Sequence, residues 1–387
     1  MKRFILRNFG PIVDCDVAFG DFTILVGEQG SGKSLFLEML KLALDRDSVI
    51  ETLDRYNYIL GHNTKKILDL YLGDGMAGLW KEDTEVTLDG NAFVLKTLPK
   101  NANQERLDEH LFYVPAQRIL SIDDGRARNF MEFNNSAPYV LRSFSETLRT
   151  FMQFGLGNNN NVVFPIKARL KGIQKQAFNK SIFHGAKAIM EERMGQRRMV
   201  LSVDGLNIPF MAWSAGQKEF MPLLLAFYAL TGPPSKIVKK EKYKYVVIEE
   251  PEMGLHPKAI LSVIMQLLEL MSKGYKVIIS THSPVFLEFS WAFNMIKSNK
   301  TRRIDGLRDM FDVPIDSSLN KIFENVCNKK VNTFYFGRNG TNGKVSALNI
   351  SSLNAFDENP LVADWGGLSE FSSKVSDTVS KYAIDDE

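Results

Sequence analysis

Cysteine is nearly absent from this chain: Cys15 and Cys327 are the only two in 387 residues, far apart and outside any CxxC pattern. That scarcity excludes a disulfide framework and a thiolate zinc site, and it predicts two buried free thiols. Long apolar runs are missing as well. No stretch approaches the roughly 20 apolar residues of a membrane span, and the opening MKRFILRNFG lacks the apolar core of a signal peptide. These absences predict a cytoplasmic protein with no membrane partner. Charge of one sign is also lacking, because the net charge is only +3, so any nucleic-acid contact must come from local clustering. No internal repeat is visible. What remains is ordinary globular chemistry, 44% hydrophobic and 24% charged, with enough material for a large core and two or three domains.

Periodicity places three strands at the start, Arg3 to Asn8, Ile12 to Phe19 and Phe22 to Val26, the third almost wholly apolar and therefore expected in a sheet covered on both faces. The stretch SLFLEMLKLALD then repeats its leucines at helical spacing. From Asp45 to about Ala212 the pattern is less regular, with a short strand at Leu111 to Val114 and helical stretches between Val140 and Arg197. It reads as a helical insertion. Its loop GLGNNNN, Gly155 to Asn161, reads as mobile surface. RMVLSVDGLNIPFMAW reads as a hairpin turning at Asp204 and Gly205. An apolar helix from Phe220 to Leu230, strand YVVI at Tyr245 to Ile248, helix Pro257 to Met271 and strand KVIIS at Lys276 to Ser280 follow. Their alternation indicates a largely parallel α/β sheet, with a smaller α/β tail after about Phe289.

Four segments carry chemistry. Gly27, Glu28, Gln29, Gly30, Ser31, Gly32, Lys33 and Ser34 fit GxxxxGK[ST] between a strand and a helix. In that pattern backbone N–H groups close on phosphate oxygens, the lysine neutralises the β and γ charges and the hydroxyl ligates magnesium. Glu249 and Glu250 end an apolar strand, so the first can hold the magnesium ion and the second can reach the attacking water. A solvated acidic pair is the competing reading, disfavoured by the PEMGLHP that follows. His282, after a second apolar strand in STHSP, is placed to sense a γ-phosphate, against the bland reading of a structural histidine. Gln117, after LFYV in VPAQRI, could reach magnesium or the water, with a turn residue as the alternative and Arg118 as a phosphate or partner contact. Finally, Ser214, Ala215, Gly216 and Gln217 open SAGQKE, a turn into a helix that offers a hydroxyl and N–H groups to an anion.

GEQGSGKS, SAGQKE, VVIEEPEMGLHP and ISTHSP, in that order, resemble the ABC-type ATPases of the SMC and RecF class. The EEPEMGLHP and THSP forms are closest to prokaryotic ATPases related to the overcoming-lysogenization-defect (OLD) family. The resemblance implies an α/β P-loop NTPase fold, an ABC-type ATPase head with a mixed, largely parallel sheet and a helical insertion. The head would be split over 1–45 and 200–290, with 46–199 a mainly helical insertion containing the glutamine loop. Residues 291–387 would be a small α/β region that completes the head or docks a partner. It further implies an ATP-sandwich homodimer, or a higher assembly of dimers, in which Gly27 to Ser34 of one copy and Ser214 to Gln217 of the other enclose ATP and Mg2+. Glu250 would be the catalytic carboxylate, His282 the switch histidine, Gln117 the glutamine-loop residue, and Gly254 to His256 the segment crossing the interface. Prokaryotic DNA repair or anti-phage defence is the implied setting.

Two departures narrow this. The insertion has no long heptad pattern, so it is not an extended coiled coil. The tail lacks the DxD pair and acidic clusters of a Toprim nuclease, which assigns any nuclease or toxic output to a separate effector. Between Lys167 and Arg198, nine basic residues stand against two acidic ones, Glu191 and Glu192. Such a strip could follow nucleic-acid phosphates; a solvated helical face is the alternative. Lys300, Arg302, Arg303 and Arg308 add charge in the tail, and Trp365 to Leu368 with Phe371 read as core or as a docking patch. Competing functions are the ATP-binding subunit of a membrane transporter, a small-molecule kinase, and a scaffold that signals by nucleotide occupancy with negligible turnover.

Overall fold

The computed structural model describes residues 1–61, 63–95, 107–156, 161–166, 168–233, 240–315, 317–339 and 343–382. The chain opens with an antiparallel pair, β1 (Arg3–Phe9) and β2 (Ile12–Ala18), then β3 (Phe22–Gly27). Every residue of β3 is buried, and its side chains alternate between two cores: Phe22, Ile24 and Val26 in one, Leu25 in the other. That two-sided burial is why the strand reads as a continuous apolar run.

Helix α1 (Lys33–Arg55) runs ten residues past the expected Asp45, across a kink at that residue. The Asp45 carboxylate accepts from the backbone N–H groups of His110 and Leu111 and from Lys41 Nζ at 2.7 Å. A side chain committed to two backbone N–H groups at the start of a distant strand explains the local departure from helical geometry.

The stretch expected to be a mainly helical insertion is mixed instead. It contains α2 (Thr64–Leu72), but also β4 (Trp80–Leu88) and β5 (Asn91–Ala92), which extend the main sheet from β1, and β6 (Leu111–Val114) at the opposite edge. After a small hairpin of β7 (Ile122–Asp123) and β8 (Arg126–Ala127) comes α3 (Tyr139–Thr150). Then β9 (Val162–Phe164), α4 (Gly172–Phe178), β10 (Lys187–Arg193), β11 (Gln196–Val203) and β12 (Leu206–Pro209) build a separate four-stranded antiparallel sheet. The expected turn at Asp204 and Gly205 is present, both residues having positive φ. Strand β10 escapes a periodicity reading because its exposed end is charged, with Glu191 facing Arg198 and Glu192 facing Arg197 across the hairpin.

Helix α5 (Ala215–Thr231) leads to β13 (Tyr245–Glu249), α6 (Pro257–Ser272), β14 (Lys276–Thr281) and α7 (Pro284–Ile296). The tail adds α8 (Arg303–Met310), α9 (Ser317–Val326), β15 (Val331–Asn339) and β16 (Lys344–Asn349), then α10 (Pro360–Ala363) and α11 (Glu370–Tyr382). It is not a satellite. The main sheet runs β5-β4-β1-β2-β16-β15-β3-β14-β13-β6, so both tail strands lie in its middle. β6, β13, β14, β3 and β15 are mutually parallel, and the pairs around β1, β4 and β16·β15 are antiparallel, which gives the mixed, largely parallel sheet that was expected. Both free cysteines are buried, as their scarcity predicted. No helix among the described residues is long and apolar enough to cross a membrane.

Candidate phosphate and carboxylate site

The C-terminal ends of β3, β13, β14 and β6 are neighbours in the sheet, and each continues into a loop that carries polar side chains. In open parallel sheets this is the edge where ligands bind, because successive loops there converge on one crevice.

After β3, the loop Glu28 to Gly32 turns through left-handed backbone at Gly30 (φ 70°) and Gly32 (φ 78°) before α1 begins. Gly27 has no room for a side chain: a Cβ there would lie 2.3 Å from the Phe336 carbonyl oxygen on β15. Lys33 folds back over the loop and donates to the carbonyls of Gly27 (2.8 Å) and Glu28 (2.9 Å) and to Ser31 Oγ (3.2 Å). Burial pulls its ammonium down to about 8, against the opposing pull of Glu250, Glu252, Glu249 and Glu28. From the tail, Arg338 donates to the Gly30 carbonyl at 3.0 Å, a contact with no local sequence signal.

Glu249, the last residue of β13, is 3% exposed. Its Oε2 accepts from the Ala116 N–H at 3.0 Å, and Oε1 is buried with no hydrogen-bond partner. Burial raises the carboxyl above its usual range, and the nearby Ser34 hydroxyl and the Ala116 N–H oppose that rise. An orphaned carboxylate oxygen beside the hydroxyl of the phosphate loop suits a magnesium ion, which takes few protein ligands and completes its shell with phosphate and water.

Glu250 has a left-handed backbone, φ 43°, which costs a non-glycine residue on the order of 1 kcal/mol. Its N–H donates to the Ser280 carbonyl (2.8 Å), and its Oε1 lies 3.5 Å from His282 Nε2. Burial and the nearby Lys33 hold His282 below its ordinary value, which keeps the imidazole neutral at physiological pH. The loop carrying His282 is fixed by Glu252, whose Oε1 accepts from the Thr281 hydroxyl (2.6 Å) and the His282 N–H (2.8 Å). Sequence reading passed over Glu252. Its place in EEPE, next to a strand end, was the available signal.

Gln117 is exposed at this same sheet edge, one residue after the Ala116 N–H that binds Glu249. Arg118, expected as a phosphate or partner contact, is neither. It is fully buried and donates to three backbone carbonyls, those of Glu219 (3.0 Å), Glu249 (2.9 Å) and Glu250 (3.0 Å). Its position after an apolar strand led to the wrong reading, because that strand, β6, lies beside β13 and aims the guanidinium into the sheet end.

Ser214 caps α5 in a reciprocal box with Gln217: Ser214 Oγ accepts from the Gln217 N–H (3.3 Å), and Gln217 Oε1 accepts from the Ser214 N–H (3.2 Å). Gly216 packs on the turn after Glu250, where an added Cβ would lie 2.6 Å from the Gly254 carbonyl oxygen. Among the described residues, Ser214 to Gln217 make no hydrogen bond or ion pair with residues 27–34 of the same copy. The structure therefore joins Lys33, Ser34, Glu249, Glu250 and His282, leaves Gln117 at the rim, and packs the SAGQ turn against the Gly254 turn, with no hydrogen bond or ion pair to residues 27–34 among the described residues.

The basic strip is not one face. Lys167 lies outside the described residues, as do 157–160 of the asparagine loop, while Gly155 and Leu156 are buried. Arg169 donates to the carbonyls of Tyr228 and Gly155, Lys171 to that of Ser318, and Arg198 to Asp124. The charge that remains is spread over α4, the helical turn Asn179–Phe183 after it and the β10–β11 hairpin, because much of the expected helical face is a strand pair. The C-terminal patch divides too: Trp365 donates to the Leu353 carbonyl and packs on the core, whereas Phe371 is 76% exposed.

A family model described as "AAA domain, putative AbiEii toxin, Type IV TA system" matches residues 22–288. The chain belongs to this family. Among curated proteins, the Old nuclease of Escherichia phage P2 is 47% identical over 58 residues, 15% of this chain and 10% of that protein, so the chain spans about a tenth of the relative it matches. Among solved structures, a chain described as the SmcHead bound to the C-winged helix domain of ScpA has a TM-score of 0.41 at 12% identity, with 90% of this chain and 96% of that one covered. The SMC head domain from Thermotoga maritima has a TM-score of 0.35 at 12% identity, covering 90% and 98%. The matched AAA domain spans the phosphate loop Gly27 to Ser34, Glu249, Glu250 and His282, so the site described above lies within the family's domain.

Proposed function

We propose that the protein binds ATP and magnesium and hydrolyses ATP between two copies of itself, using nucleotide state to control DNA or a separate effector in prokaryotic repair or anti-phage defence. The observation that carries this reading is the gathering of Lys33, Ser34, Glu249, Glu250 and His282 at one sheet edge, with the turn Ser214 to Gln217 making no hydrogen bond or ion pair to the phosphate loop of its own copy among the described residues.

In this reading the N–H groups of Gly27 to Gly32 and the Lys33 ammonium hold the β- and γ-phosphates. Ser34 and Glu249 would hold magnesium, with Gln117 reaching it from the rim; the ion would neutralise charge on the phosphates as the γ-group leaves. Glu250 accepts the proton of the attacking water, and neutral His282, 3.5 Å away, orients that water and the γ-phosphate. The partner's copy of the SAGQ turn closes over the γ-phosphate, so the pair engages when ATP is present and separates after hydrolysis. The family description, which names a toxin of a toxin–antitoxin system, and the partial match to a nuclease support an effector output.

ATP turnover measured with and without duplex and single-stranded DNA tests the reading. Magnesium-dependent phosphate release that Glu250→Gln lowers at least about 100-fold supports it. Turnover unaffected by that substitution would assign the chain to occupancy signalling instead.

A further inference from the structure

Arg118 has no solvent exposure and sits where three segments meet. One acceptor, the Glu219 carbonyl, belongs to the first turns of α5, the helix that begins at the Ser214 cap. The other two, the carbonyls of Glu249 and Glu250, end the carboxylate strand β13. A guanidinium is planar and its donors point in fixed directions, so three acceptors on one fork lock α5 to the end of β13. Burial opposes the charge, and Glu219, Glu252, Glu250 and Glu249 together sustain it. Glu219 Oε2 is 3.9 Å from Arg118 Nε and is buried with no hydrogen-bond partner.

The clamp also bears on the strained residue. Glu250 keeps its left-handed backbone between two fixed points, its N–H on the Ser280 carbonyl and its own carbonyl on Arg118. Moving Arg118 frees one of those points. The direction of the Glu250 side chain then changes, because φ and ψ at that residue set it.

We propose that Arg118 is a positioning residue that makes the two nucleotide sites of the paired protein cooperate. This rests on the sandwich reading above, in which Ser214 to Gln217 of one copy meet the partner's nucleotide while Glu250 of that copy serves its own. Closure of the SAGQ turn on one γ-phosphate draws on α5, and Arg118 passes the shift to Glu250 at the other. The linkage needs no movement of the sheet. It needs only that α5 and Glu250 share one rigid fork, with the Gly216–Gly254 contact as a second point of support.

The test compares ATP turnover against ATP concentration in the full chain and in Arg118→Lys, which keeps the charge and loses the fork. The unsubstituted protein is expected to give a Hill coefficient approaching 2, the number of sites in a pair. Arg118→Lys is expected to give a coefficient near 1 and a kcat about tenfold lower, with ATP affinity in the separate copy within about threefold. A merely structural arginine would lower the melting temperature and leave the Hill coefficient alone, which overturns the proposal. Unsubstituted protein that binds ATP without pairing removes the sandwich reading and the proposal with it. Cooperative turnover that survives in Arg118→Lys removes the proposal alone. Should Arg118→Lys fail to fold, hydrogen exchange on the unsubstituted protein decides: residues 214–219 and 249–250 should gain protection at one shared ATP concentration, and protection at separate concentrations would refute the linkage.

Discussion

ATP binding should take up a proton near pH 8, and the affinity should fall as pH rises through that value. Lys33 is the reason. Its ammonium is buried under its own loop, and desolvation brings it down to about 8 despite four carboxylates nearby. With that value the ammonium is about nine-tenths charged at pH 7, half at pH 8 and one-tenth at pH 9. Phosphate oxygens placed against it favour the charged form and restore an ordinary lysine value, so the deprotonated fraction must recharge on binding. The sign follows directly: a group depressed in the free protein and raised in the complex takes up protons between the two values. Apparent affinity should therefore weaken about tenfold from pH 7 to pH 9, and uptake should be about half a proton per site at pH 8. Terminal phosphate ionises near pH 6, below this window, so the ligand contributes little. Titration calorimetry in two buffers of different ionisation enthalpy measures the uptake. Lys33→Arg, which stays charged throughout, should bind more weakly but with a flat profile. A constant affinity between pH 7 and 9 in the unsubstituted protein would refute the reasoning.

Three further outcomes follow from the same geometry. Gly27→Ala places a methyl 2.3 Å from a backbone oxygen of β15 that cannot rotate away, and should cost about 1–3 kcal/mol in urea unfolding; a loss under about 0.5 kcal/mol would show that the tail strand does not press on the loop. His282→Ala should lower turnover about 100-fold while leaving ATP affinity unchanged, and a loss of affinity without loss of kcat would make His282 a binding residue. Glu252→Gln, which keeps one acceptor for Thr281 and the His282 N–H, should retain most turnover, whereas Glu252→Ala should behave like His282→Ala; equal activity in both would remove Glu252 from the support of that loop.

The parts of the molecule legible in the sequence are those whose cause is local. An all-buried strand such as β3 is apolar at every position, and the glycines after it turn the chain through backbone that side chains disfavour, so strand, loop and helix are written in consecutive residues. β13 and β14 announce themselves in the same way, each ending in the polar residues its loop presents. The illegible parts depend on distant partners. β15 lies beside β3 although about 300 residues separate Phe336 from Gly27, and nothing within VNTFYFGRN says that it fills the centre of the sheet rather than an edge. β10 was hidden by charge, since Glu191 and Glu192 look solvated until Arg198 and Arg197 are known to face them. Arg118 misled for the opposite reason: a basic residue beside a candidate site suggests a phosphate, and only the pairing of β6 with β13 shows three backbone carbonyls at its tip.

The central claim is that ATP joins two copies and that Glu250 ends their engagement. Glu250→Gln retains the loop, Lys33 and the SAGQ turn while removing the carboxylate, so it should bind ATP and stay paired. Light scattering on that variant with ATP and magnesium is predicted to give about twice the 43.8 kDa chain mass, returning to the single mass when ATP is omitted. A single-chain mass with ATP demonstrably bound would contradict the account.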